Sequence, residues 1–140
     1  MSLIGQAGIG FAILALTVAA TAMMIVVSAQ FLASHSQTNT GPYSIARQVT
    51  VLTLVTVWLA VGLLLSMCCW GAVLDALGIF PTFEQSLYFS MVAFTTLGFG
   101  DVILPADWAL LSGFIATNGF ILFGLDTAFL FDALRRLLDE

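Results

Sequence analysis

Charge is what this chain has least of. Its 140 residues include three Arg, no Lys, one His and eight acidic side chains, so 8% are charged where a soluble domain carries about 25%. An ordinary soluble domain is thereby excluded. Three cations make no basic patch, which excludes nucleic acid as a partner. No stretch repeats arginine along a helix, so there is no voltage sensor of the usual kind. Cysteine is nearly absent too: Cys68 and Cys69 are neighbours in an apolar run. Bonding to each other would strain the disulfide geometry, and adjacent thiols lack metal-ligand spacing, so both read as packing residues, with a disulfide between two copies of the chain as the alternative. With the lone His35 in a polar linker and no paired catalytic groups, the chain is expected to be no enzyme and to need no cofactor.

What remains is apolar: 61% of the residues are hydrophobic. Residues 7–32 carry no charge, which suffices for a helix that crosses a bilayer, a task needing about 20 residues. This run is too long, and lacks the positive flank, for a cleaved signal peptide. A polar linker follows over 34–48, containing His35, Asn39, Gly41, Pro42 and Arg47. A second apolar run covers 49–80. Gly71, Asp75 and Gly78 interrupt its end, so its regular part ends between Trp70 and Leu77, leaving Trp70 at the level of an interfacial aromatic belt. A third span is predicted over 108–134, ahead of Arg135 and Arg136.

Between the second and third spans lies something shorter. Pro81-Thr82-Phe83-Glu84-Gln85 reads as a helix start, with Thr82 as cap, Gln85 as its capping-box partner and Glu84 at the positive end of the dipole. The apolar helix predicted from 83 to 94 is too short to cross, so it enters and returns. It runs straight into Thr95-Thr96-Leu97-Gly98-Phe99-Gly100-Asp101. Irregular backbone at membrane depth is tolerated only where protein buries it or where it lines a water-filled cavity. Glycine alternating with larger residues suits a backbone turned so that successive carbonyls face one axis. Four copies of such a loop would stack rings of oxygen able to replace the hydration shell of a cation.

The run from Tyr88, Phe89 and Ser90 through Thr95 to Asp101, followed by Pro105 and Trp108, resembles the pore module of tetrameric potassium channels. It is similar to small bacterial two-helix channels and to the pore repeats of two-pore-domain channels. Asn118-Gly119 and Phe123-Gly124-Leu125-Asp126-Thr127-Ala128 extend the resemblance along the last helix, so that it covers roughly residues 50–134. Leu97 stands where the family more often has valine, and Phe99 where it more often has tyrosine.

This resemblance implies an all-α membrane protein of three transmembrane helices, with a re-entrant pore helix and a filter loop between the second and third. Residues 1–48 would be an additional N-terminal helix and cytoplasmic linker, and 49–140 the pore domain. It implies potassium held by Thr96, Leu97, Gly98 and Phe99, with Gly100 letting the chain leave the filter. Tyr88, Thr95 and Asp101 would support the loop, Tyr88 donating to Asp101 from behind. Small bacterial members often add a pore-helix glutamate where this chain has Val92, so one brace is missing. Gly119 matches the family's hinge glycine, and Phe120, Phe123, Thr127 and Phe131 fall on one helical stripe that would line the cavity or gate.

Asp126 has two readings. An acid within a spanning helix costs about 2.5–3.5 kcal/mol on insertion scales and usually marks function. Turned about 100° from Thr127, it either borders the cavity and attracts cations, or bonds to a neighbouring helix, where Thr50, Thr53 and Thr56 lie at similar depth. Asp75, Glu84, Asp101 and Asp107 would give an acidic outer mouth. If the loop faces outward, Arg47, Arg135 and Arg136 are all inside, as the positive-inside rule requires, with the N-terminus outside and the C-terminus cytoplasmic. The expected protein is a homotetrameric potassium channel of a plasma membrane, in compactness like a bacterial inner-membrane protein, with potassium ions and the lipid bilayer as its partners. A weakly selective cation channel and a non-conducting subunit that keeps the pore fold are the alternatives.

Overall fold

The computed structural model describes residues 3–36 and 45–139, with side chains over 3–33 and 45–136. Four helices occur in the order α1 (Leu3–Ser36), α2 (Ile45–Ala76), α3 (Phe83–Phe94) and α4 (Ala109–Asp139), with a short 3-10 turn at Ala106–Trp108 leading into α4. There is no strand among the described residues. Three helical stretches are long and apolar enough to cross a membrane: Leu3–Ala33, Ile45–Ala76 and Ala106–Arg136. The fold is the expected all-α membrane architecture. The linker's His35 side chain and residues 37–44 lie outside the described part.

Local sequence explains where the elements stop. Gly78 takes φ +64, which an L side chain resists. Its N–H bonds the carbonyl of Asp75 at 2.8 Å while the N–H of Ile79 reaches Leu74 at 3.2 Å, the paired closure of a Schellman motif. This ends α2. Six residues later Thr82, in extended backbone, accepts from the Gln85 N–H at 3.3 Å and starts α3, with Glu84 in its first turn. At twelve residues α3 is about 18 Å long, too short to span. At the far end α4 continues past the predicted limit, aided by an exposed i,i+4 pair between Arg136 and Asp132 at 2.7 Å.

Contacts set the helix directions. Gly10 lies against Phe114, and Thr17 bonds Asn118, so α1 runs parallel to α4. Met24 lies on Gly62, while Thr17 shares Asn118 with Trp70, so α1 and α2 are antiparallel. The apolar core sits around α3, where Trp70, Leu74, Phe89, Phe94, Leu111, Ile115 and Leu122 form one cluster.

The first helix is built differently. Its buried positions are Gln6, Gly10, Thr17, Thr21 and Ser28, all polar or glycine, while Leu3, Ile4, Phe11, Leu16, Met23, Val26, Val27 and Phe31 point outward. Gln6, Thr17 and Ser28 recur every eleven residues, as do Gly10 and Thr21. Eleven residues make three turns at 3.67 per turn, so this stripe runs almost along the helix axis. In a lipid solvent such an arrangement is stable, because small and polar side chains hold helices together where apolar ones have no preference for protein over lipid.

Candidate functional site: the 95–101 loop and its supports

The loop hangs from the end of α3 by its amides. The Thr95 N–H bonds the carbonyl of Met91 at 3.1 Å and that of Thr96 bonds Ala93 at 3.0 Å. Those of Leu97 and Gly98 converge on Val92 at 3.0 and 3.4 Å. Beyond α3 the backbone alternates in hand. Thr96, Gly98 and Gly100 have φ of +58, +58 and +79, whereas Leu97 and Phe99 are not among the positive-φ residues. Thr96 is the informative one, since a β-branched residue in this region is strained and such outliers concentrate at functional sites.

In an ordinary strand, carbonyls alternate from side to side. Reversing the backbone hand at every second residue cancels that alternation and gathers N–H groups on one side, as in an anion-binding nest. Here the gathered N–H side faces α3. The amides bonded toward α3 run as far as Gly98; alternating hand would turn the carbonyls of residues 96–100 to the other side, and no backbone donor among the described residues reaches them. Unpaired carbonyls need water or a cation. A row of them on one side is suited to a dehydrated cation and unsuited to an anion.

Side chains brace this backbone. Thr95 turns its hydroxyl back to the carbonyl of Met91 at 2.8 Å. The Tyr88 hydroxyl donates to Asp101 Oδ2 at 2.6 Å, tying the loop's exit to the middle of α3. That bond holds the Asp101 carboxyl below its usual pKa and raises the Tyr88 hydroxyl above its own. Leu97 and Phe99 project outward, 56% and 67% exposed. Beside them a groove of roughly 550 Å³ runs between the loop and α4, lined by Phe89, Val92, Thr96, Gly98, Gly113 and Ala116 among others. The carboxylates Asp75, Glu84, Asp101 and Asp107 are all exposed at this end.

Residues 53–136 match the family model described as Ion channel. The chain belongs to this ion-channel family. That match covers most of α2, all of α3 and the loop, and nearly all of α4, so the potassium-channel-like pore read from the sequence is the family's. No curated protein and no solved structure matches the chain.

Other predicted residues of this ion-channel family member divide between two faces of α4. Phe120, Phe123, Thr127 and Phe131 form an exposed stripe, with Phe123 touching Phe94 edge-on at 5.8 Å between centroids. Gly119 and Asp126 are buried. A Cβ on Gly119 would lie 1.8 Å from the Phe94 carbonyl oxygen, so glycine is required there for the close approach of α4 to the end of α3. Asp126 is 5% exposed and its Oδ1 has no hydrogen-bond partner among the described residues. Two of the three threonines expected beside it, Thr50 and Thr56, bond back to Ala46 and Leu52 of their own helix.

Trp70 corrects the sequence reading. Instead of sitting in an interfacial belt it is fully buried, because its indole N–H bonds Asn118 Oδ1 at 2.7 Å. Asn118 Oδ1 also accepts from Thr17 at 2.9 Å. This three-helix junction was not anticipated, although an asparagine inside an apolar span, and the eleven-residue recurrence on α1, are both visible signals.

Proposed function

We propose that the chain is one subunit of a homotetrameric, potassium-selective channel. The carbonyls of residues 96–99, which no backbone donor among the described residues reaches and which alternation of backbone hand would gather on one side, carry this reading. Four loops around an axis would present stacked oxygen rings, with the Thr96 hydroxyl adding an inner one and Gly100 letting the chain leave. One loop per chain calls for four chains. Exposed Leu97, Phe99, Phe120 and Phe131 are large apolar side chains on the face that such a ring would cover or turn to its cavity.

In this reading Tyr88, Thr95 and Asp101 brace the filter, and Phe120, Phe123, Thr127 and Phe131 line the cavity, where phenylalanines can gate by dewetting. The exposed carboxylates at the loop end would concentrate cations. Arg47 begins α2 and Arg135 and Arg136 close α4, so all three lie at the end opposite the loop. By the positive-inside rule that end is cytoplasmic and the loop faces outward, in a plasma membrane, with the N-terminus outside. Residues 49–140 are then the pore domain and 1–48 an added helix with its linker.

The test is flux through liposomes holding the full-length protein under a potassium gradient. Barium-sensitive potassium flux with little sodium flux is expected. Equal sodium and potassium flux would replace potassium selectivity with a general cation pathway. Impermeable liposomes would leave a non-conducting subunit.

A further inference from the structure

Thr17, Asn118 and Trp70 belong to three helices and meet at one buried atom. Asn118 and Trp70 have no exposed surface, and Asn118 Oδ1 takes both the indole N–H and the threonine hydroxyl. The amide's other end, Nδ2, is buried with no partner among the described residues. As a filler of space this is a poor choice, because leucine would occupy the position without an unmatched donor. What asparagine adds is orientation. Two donors from different helices converge on one oxygen and fix the rotation of α4 about its own axis.

The next residue shows what that rotation controls. Gly119 holds α4 against the carbonyl of Phe94, the last residue of α3. Thr95 caps α3, and the amides of Thr96, Leu97 and Gly98 hang from the carbonyls of Ala93 and Val92 immediately before it. Turning α4 would move the wall on which the loop's foot rests, at a contact too close to absorb the motion.

We infer that Asn118 is a positioning residue through which α1 sets the conformation of the 95–101 loop, with Thr17 as the donor that couples them. The coupling is breakable. The Thr17 hydroxyl has one proton and three acceptors at nearly equal distance: Asn118 Oδ1 at 2.9 Å, and the carbonyls of Ile13 and Leu14 on its own helix, each at 3.0 Å. When it turns inward to its own helix, α1 releases α4. The added helix is then a regulator of the loop rather than a membrane anchor. Its consequence for conduction rests on the channel reading; its consequence for the loop's backbone does not.

The test uses full-length protein in liposomes and reads two quantities, hydrogen exchange over residues 91–101 and potassium flux. Thr17→Val should speed exchange of the Leu97 and Gly98 amides by about five- to tenfold, the scale of one lost buried hydrogen bond, and shift flux with it. Thr17→Ser, which keeps the hydroxyl, should restore both. In an Asn118→Leu background Thr17→Val should have no further effect. Unchanged loop exchange in Thr17→Val overturns the inference, as does an effect that persists undiminished without Asn118. If Asn118→Leu fails to fold, the Val and Ser variants at Thr17 decide the matter. If no liposomes pass ions, the exchange data still decide the coupling and only the channel reading falls.

Discussion

Trp70 has two sides held by opposite chemistry. Its ring belongs to the aromatic and aliphatic cluster that packs α2 and α4 around α3, while its N–H belongs to the polar seam where α1 lies on α4. The short helix is screened by the longer ones, so apolar burial can hold it. The first helix faces lipid, which solvates leucine as well as protein does, and so its position depends on small residues that allow close approach and on a few hydrogen bonds. Apolar packing supplies bulk stability here, and polar contacts supply register.

Substitution at Trp70 separates the two. Trp70→Ala removes both and should cost about 3–5 kcal/mol, the range for emptying a buried aromatic site. Trp70→Phe keeps one six-membered ring and removes the N–H together with the rest of the indole, so a smaller loss of about 2–3 kcal/mol is expected. Thermal unfolding in detergent would rank them. Equal losses would mean that the ring contributes nothing beyond its hydrogen bond, and the contrast between the two sides would fail.

Gly119→Ala comes next in size. The added methyl would meet a backbone carbonyl at 1.8 Å, and a backbone cannot swing away like a side chain. A loss of about 1–3 kcal/mol is expected from overpacking, together with faster hydrogen exchange at Thr95 and Thr96. Wild-type stability in this variant would show that α4 and the end of α3 are not in rigid contact, and would weaken the proposed route from α1 to the loop.

Much of this is legible in the sequence alone. Helix α3 announces itself through Thr82 and Glu84, the end of α2 through Gly78, and the spans through uninterrupted apolar runs, because all of these are local effects. The loop was legible because alternating glycines constrain the backbone directly. Trp70 was misplaced for the converse reason: its partner Asn118 is 48 residues away, and an aromatic near the end of a span looks the same whether it meets headgroups or a buried amide. Asp126 has two readings in the sequence because helical spacing gives its angle from Thr127 but not which neighbour occupies that side. The stripe on α1 was present in the numbering, yet polar residues in a membrane helix point inward only when there is something to point at.

The smallest effect belongs to the exposed bond between Tyr88 and Asp101, where neither apolar burial nor a dry polar seam operates. Its pH dependence follows from the direction of the two shifts. Asp101 is lowered by the bond, so the contribution is complete above the ordinary carboxylate value of about 4 and disappears as pH falls through the lower native value. Tyr88 is raised by the same bond, so the contribution is complete below about 10 and disappears as pH rises through the higher native value. Between those limits Tyr88→Phe should inactivate faster than the wild type, within about threefold, as expected for an exposed pair. Below the native value of Asp101 the two proteins should converge, because acid removes from the wild type what the mutation has already removed. A gap that stays constant on acidification would mean that the phenol acts through packing against α3, and would transfer the loop's outer support from the polar side of the comparison to the apolar one.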